Sequence, residues 1–417
     1  MTTIVGVLNK RAVAIAADSA VTVGDTHRVM NTGNKIFALS KYAPVGIAIY
    51  GADSLMSTPW EVIIKCYQRE LGQKKFSYLR EYVEDFLQFL KKHEFFSSLE
   101  MQRQFLILQM KSFLDICETK AKNRQVFSTD PSQAVLEELN ECMKLNQASP
   151  IVFSDFQGYN YSDFLKFASS EIRSVVNNST ILDGTKHFDA FAESYYHYMR
   201  IANIDRGNGS GLVFVGYGEE EIYPCLYNIV TTIGFEHKLQ YRYRDQTEIT
   251  NDGTSAAIVP FAQVEATQTV IRGINPTFYD IISSNFTAIL EHFKRQIGNL
   301  ARNAQATTLA MQIDSIEVNP FSTAFTQATK DAFFNNYTVP LVTTVGCLAI
   351  SDMANVAESL VALTSLVNRM SPKEESVGGP VDVAVISKGD GLIWIKRKHY
   401  FNSELNTQFF KNYRNEE

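Results

Sequence analysis

An α+β fold with a four-layer αββα core and two helical insertions is the expectation from three features of this 417-residue chain. The first is an opening series of short apolar runs separated by polar turns. The second is a block from about residue 75 to 205 in which glycine nearly vanishes and apolar residues recur at helical spacing. The third is a return of strand-like runs after Gly207, interrupted by a second helical block at about 277–335. With the two helical blocks set aside, strands and helices remain in an order that builds two β layers with helices outside them.

Each element has a local reason. Ile4-Val5-Gly6-Val7 and Ala12 to Ala17 are apolar runs across the polar turn Asn9-Lys10-Arg11, which reads as a hairpin buried on both faces and ending at Asp18. Lys35 to Leu39 and Val45 to Tyr50 form a second pair joined by residues 40–44. A helix follows: Ser57 or Thr58 caps it, Pro59 takes a first position that needs no N–H, and Trp60, Ile63, Ile64, Tyr67 and Leu71 repeat at helical spacing. The first insert carries five apolar stripes, rich in aromatics such as Phe86, Phe89, Phe105, Phe113, Tyr195, Tyr196 and Tyr198, with Asp130-Pro131 opening its third helix. Such stripes are either the core of a satellite bundle or an interface, because aromatics are enriched at both.

Gly207-Asn208-Gly209-Ser210-Gly211 opens a strand and not a helix, so it reads as a turn and not a phosphate loop. Leu212 to Gly218 and Ile222 to Thr231 are strand and return strand. Further on, Val342 to Ile350 reads as a strand, Met353 to Met370 as a helix, Val381 to Ile386 as a strand, and Leu392 to Ile395 as its partner across Lys388-Gly389-Asp390-Gly391. The expected division is a core of 2–71, 207–276 and 338–400, inserts at 72–206 and 277–337, and a tail at 401–417.

Composition narrows the function classes. Lys plus Arg is 39 and Asp plus Glu is 45, a net charge of −6, which argues against nucleic acid as a partner. No run approaches the roughly 18 continuous apolar residues of a membrane span, and no secretory signal precedes Asn9-Lys10-Arg11. Cys66, Cys117, Cys142, Cys225 and Cys347 are scattered, without a Cys-x-x-Cys pair, so neither a disulfide framework nor a zinc cluster is expected. These features point to a cytoplasmic protein, with no membrane partner.

The chemistry gathers at the N-terminus. Thr2 follows Met1, and a small residue there allows Met1 to be removed. An N-terminal threonine holds a nucleophilic hydroxyl and, in its α-amine, a base with a reference pKa of about 7.7–8.0. Asp18 closes the hairpin that returns beside Thr2, and Lys35 opens the next strand. A lysine there favours the neutral amine and the developing charge on the hydroxyl; a carboxylate holds the lysine. Singly, Asp18 reads as a turn residue and Lys35 as a strand end. Together they form a candidate site.

These segments resemble proteasome β subunits and the bacterial HslV peptidase. The resemblance rests on Thr2-Thr3-Ile4-Val5, Ala14-Ile15-Ala16-Ala17-Asp18, Gly24-Asp25-Thr26, Asn34-Lys35 and Tyr50-Gly51-Ala52-Asp53. Looser matches are Phe214 to Gly218, Tyr223 to Tyr227 and Gly378 to Ile386. It covers a little under half the chain. It implies an N-terminal-nucleophile hydrolase in which Thr2 attacks and Asp18 and Lys35 complete the site, with no metal and no organic cofactor. It also implies an oxyanion donor among Ile49, Tyr50 and Gly51. The family's Gly-Ser-Gly turn becomes Phe261-Ala262-Gln263, and its Asp-x-x-Ser-Gly-Gly segment becomes Glu374 to Gly379, with Ser376 as the supporting serine.

The resulting expectation is a threonine-type endopeptidase acting on peptides or unfolded protein. It would be a homo-oligomer, with an unfoldase or regulatory partner among the roles open to the inserts. Two alternatives stand beside it: an amidase or acylase of a small amide, and an inactive proteasome-like assembly or binding module.

Overall fold

The computed structural model describes residues 2–23, 28–30, 32–149, 151–202, 209–371, 378–399, 401 and 404–406. In chain order the strands and helices begin with β1 (Thr3–Asn9), β2 (Ala12–Ala17), β3 (Val21–Val23), β4 (Arg28–Met30), β5 (Ile36–Ala38), β6 (Val45–Gly51), β7 (Ser54–Leu55) and β8 (Thr58–Pro59). Six helices follow: α1 (Trp60–Leu71), α2 (Leu79–Lys92), α3 (Leu99–Ala121), α4 (Pro131–Gln147), α5 (Tyr161–Asn177) and α6 (Phe188–Arg200). Next come β9 (Ser210–Gly216), β10 (Cys225–Phe235), β11 (Lys238–Glu248) and β12 (Ala256–Ala262). The chain continues through α7 (Glu265–Arg272), α8 (Pro276–Asn303), α9 (Thr307–Asp314), α10 (Asn319–Phe333), α11 (Val339–Cys347) and α12 (Ile350–Met370), and closes with β13 (Asp382–Ser387) and β14 (Gly391–Lys396).

The chain divides into two compact units, Met1–Ile36 with Glu248–Glu417, and Phe37–Thr247. The first holds an antiparallel sheet in the order β12-β1-β2-β13-β14. Its register sets Ile4 opposite Ala17 and Thr3 opposite Ala262, and Asp382 opposite Ala17 on the other side of β2. Val5, Val7, Ala12, Ala14 and Ala16 pack with Met353, Ala357 and Val361 of α12. The alternate residues Ile4, Leu8, Val13 and Ile15 are equally buried, so both faces of β1 and β2 are dry. α12 is the one helix among the described residues with the length and hydropathy of a membrane span, and one of its faces lies in this core.

The second unit carries the sheet β11-β10-β9-β6-β5. The first insert forms the five expected helices, α2 to α6, and Asp130 caps α4 through the Gln133 amide with Pro131 in the first turn. Its aromatic stripes face inward: Phe86, Phe113, Phe164, Phe191 and Tyr195 are buried, and Phe86 meets Phe214 of β9 edge-on at 5.5 Å. These stripes are core within this unit.

The second insert differs. Across α8, α9 and α10 only Gly298, Ala301, Ala310 and Ile313 are buried, while Phe278, Ile289, Phe293, Leu300 and Phe321 are exposed.

One expectation needs correction, and two strands were not expected. The apolar run from Val342 to Ile350 is not a strand: most of it lies in α11, which follows a π-helical segment at Phe334–Thr338 and has Pro340 in its first turn, and Ile350 opens α12. A short β-branched run is ambiguous by periodicity alone, and Pro in the first turn decided for helix. β11 and β12 went unassigned. β11 is a polar edge strand, and β12 carries Pro260, which is tolerated because β12 lies at the sheet edge.

Candidate active site

β1 and β2 meet across a two-residue turn, Lys10-Arg11, with the expected turn residue Asn9 instead closing β1, and their register fixes what lies beside Thr2. The Asp18 amide donates to the Thr3 carbonyl at 3.2 Å, and the Thr3 amide donates to Asp18 Oδ1 at 2.8 Å. The carboxylate of Asp18 is therefore anchored to the first residue of β1. The same oxygen accepts from Lys35 Nζ at 2.7 Å. The other, Oδ2, accepts from the Ala20 and Gly378 amides, each at 3.2 Å. Four donors converge on one buried carboxylate, which is how an ionised group is kept away from water.

Lys35 reaches Asp18 from the segment before β5, and Nζ also donates to the Ala20 carbonyl at 2.6 Å. Only 4 % of Lys35 is exposed. Burial holds its pKa below the ordinary 10.5, opposed by the Asp18 charge and hydrogen bond. Lys398 depresses it further, and Asp382 raises it. The ammonium and the Thr3 amide share one oxygen, so the lysine head sits against the residue that follows Thr2.

Thr2 is itself buried, and its carbonyl accepts from the Gln263 amide at 3.2 Å. The turn after β12 thus lies beside Thr2, where the sequence places Phe261-Ala262-Gln263. Ala262 has φ +62°, a left-handed conformation that glycine adopts without penalty. Here it is an alanine held in place by strand pairing with Thr3.

Thr2, Asp18 and Lys35 are thus assembled by one unit. Ile49, Tyr50 and Gly51 belong to the other, at the end of β6 paired with β9. Gly51 has φ +78°, and a Cβ there would come within 2.3 Å of the Gly209 carbonyl oxygen, so only glycine fits. The Tyr50 hydroxyl donates to Asn228 Oδ1 at 3.0 Å, and burial raises its pKa. Ser376, Met1 and Gly24-Asp25-Thr26 lie outside the described residues.

A second ion pair was missed by sequence reasoning. Asp382 opens β13, and its carboxylate accepts from the Lys398 ammonium and, at 2.9 Å, from the Lys398 amide. The available signal was an acidic residue inside the apolar run Val381 to Ile386. Gly378 was noticed only as part of a segment, yet its amide holds Asp18 and its carbonyl accepts from the Ser19 amide at 3.1 Å. Among the described residues no three His, Cys, Asp or Glu side chains converge as a metal site.

No protein-family model matches the chain, and no curated protein matches it. Among solved structures it is similar to the Anbu (Gly-1) mutant from Hyphomicrobium sp. strain MC1, at 9% identity over 99% of this chain and 95% of that chain, with a TM-score of 0.31. A similarity of that size leaves the chemistry to be argued from the residues themselves.

Proposed function

We propose that this chain is an N-terminal-threonine hydrolase that cleaves peptide bonds through Thr2 once Met1 is removed. The observation that carries the proposal is the single Asp18 oxygen shared by the Thr3 amide and the Lys35 ammonium. It ties a buried, charge-paired lysine to the residue next to Thr2.

In this reaction Thr2 Oγ attacks the carbonyl carbon and its proton passes to the Thr2 α-amine. The Lys35 charge favours the neutral amine beforehand and the oxyanionic hydroxyl during attack. Asp18 positions Lys35. The protonated amine then gives its proton to the departing amine, leaving an ester on Thr2. Water, deprotonated by the same α-amine, releases the acid and restores the hydroxyl. No step calls for a metal or an organic cofactor.

The finer fold is part of the same reading. An αββα sandwich is the fold we propose, supported by the dryness of both faces of β1 and β2. Homo-oligomerisation is proposed too, supported by the exposed apolar residues of 277–337, which a second copy would cover.

The test is turnover of a panel of fluorogenic peptides by the full chain and by Thr2→Ala. Loss of all turnover with an unchanged melting temperature is expected. Full activity in Thr2→Ala would remove Thr2 as the nucleophile.

A further inference from the structure

Outside the candidate site, one pair of nucleophilic side chains is built into the first insert. α3 and α4 are joined by a short connector at 122–130 and share one hydrophobic core. Cys117, near the end of α3, is fully buried, and Cys142 lies half-buried at the edge of that core. The two thiols interact where Cys142 packs against the core that holds Cys117.

Arg124 clamps the region. It leaves the connector to meet Glu138 at 2.6 Å and Glu141 at 2.5 Å, with Glu137 at 3.3 Å. Glu138 lies one turn before Cys142 and Glu141 immediately before it. The clamp therefore ties the chain just past Cys117 to the turn that presents Cys142.

We propose that Cys117 and Cys142 form a peroxide-responsive dithiol, with Cys142 as the attacking sulfur and Cys117 as the resolving one.

The surroundings fit those roles. Cys142 is the accessible sulfur of the pair and Cys117 the buried one; the contact with Cys117 lowers the Cys142 pKa, and Lys120 acts in the same direction. Burial, Glu138 and Glu141 oppose it. The same contact and burial push Cys117 up, so it stays protonated until it is needed. A thiolate with partial access beside a resolving thiol is the arrangement of redox-sensing cysteines.

The reaction balances with hydrogen peroxide as the oxidant. The Cys142 thiolate attacks one peroxide oxygen, the O–O bond breaks, and the departing hydroxide leaves as water after taking a proton. Cys142 is now a sulfenic acid. Cys117 sulfur attacks Cys142 sulfur, the S–S bond forms, the S–O bond breaks, and a second water leaves. Two thiols and one peroxide give one disulfide and two waters, and a dithiol reductant reverses the change.

Cys347, which is exposed, supplies the internal comparison, because accessibility alone would make it the most reactive thiol of the five. The test treats the reduced full chain with equimolar hydrogen peroxide and follows it by intact mass and peptide mapping. A loss of about 2 Da with a Cys117–Cys142 linked peptide, ahead of any product at Cys347, is expected. In Cys117→Ala treated with excess peroxide, a second peroxide should carry Cys142 on from sulfenic to sulfinic acid. In Cys142→Ser, Cys117 should stay reduced. Oxidation at Cys347 with Cys117 and Cys142 unlinked in the unmodified sequence would overturn the proposal, whether or not either variant folds. So would a Cys142 that stays reduced in a folded Cys117→Ala.

Discussion

Two buried lysine–aspartate pairs stand on neighbouring strands of the same sheet, and they are built differently. Asp18–Lys35 joins the end of β2, the segment before β5, the start of β1 and the Gly378 segment through one carboxylate. Asp382–Lys398 joins only the start of β13 and the segment after β14, and both of its hydrogen bonds come from the same lysine. The Lys35 side chain keeps 4 % of its surface, whereas the Lys398 side chain keeps 13 %. The difference teaches what a buried charge is for. A pair that gathers several chain segments around one atom assembles a site; a pair within two adjacent strand ends fastens an edge and tunes its neighbour.

The largest contrast is expected in stability. Asp18→Asn leaves Lys35 buried without its counter-charge, so a loss of about 3–5 kcal/mol is expected from urea unfolding. Asp382→Asn should cost distinctly less, because the Lys398 ammonium can turn toward water. Equal losses would break the distinction. Nor should replacing Asp18 and Lys35 together by apolar residues be harmless, since three backbone amides would lose their acceptor.

Turnover should separate the pairs as well. Lys35→Ala is expected to lower kcat/KM by about 10²–10⁴-fold, the scale of assisted proton transfer. Lys398→Ala should lower it less than about tenfold, since Lys398 acts on the reaction only through the Lys35 charge. A larger loss at Lys398 would reverse the roles assigned here.

The pH profile sharpens the comparison in sign. The proposed reaction uses Lys35 in its charged form, and its pKa is lowered from 10.5, so the alkaline limb of the profile should fall below that value. Lys398 depresses the Lys35 pKa; Lys398→Met removes that effect and should move the limb to higher pH. Asp382 raises it, so Asp382→Asn should move the limb lower. Shifts in the same direction for both variants would show that the second pair does not act on Lys35. The smallest effect is expected at Ala262. Ala262→Gly relieves a left-handed alanine and should change stability by no more than about 1 kcal/mol, in the stabilising direction, by thermal unfolding.

Much of the first pair was legible in the sequence. Two apolar runs across a short polar turn predict a hairpin, and its observed register carries Asp18 back to the start of β1. Lys35 was visible as a charge at the head of an apolar run. Asp382 and Lys398 were not paired, because strand periodicity gives no information on which distant segments become neighbours. Gly378 lies 360 residues from Asp18 in sequence. The inserts show the same limit. Helical stripes were visible in both, and the aromatics of the first suggested a surface as readily as a core. Phe113, Phe191 and Tyr195 are buried, whereas Phe278, Phe293 and Phe321 of the second insert are not. Amphipathic spacing reports that a face is apolar and leaves open what covers it.

The central claim is that Thr2 acts with both its hydroxyl and its free α-amine. A peptidyl epoxyketone tests this most directly, because it forms a ring with both groups and therefore needs an N-terminal threonine. Intact mass and peptide mapping of the treated full chain should show Met1 absent and a single adduct on Thr2. A chain that retains Met1 and carries no adduct would contradict the account.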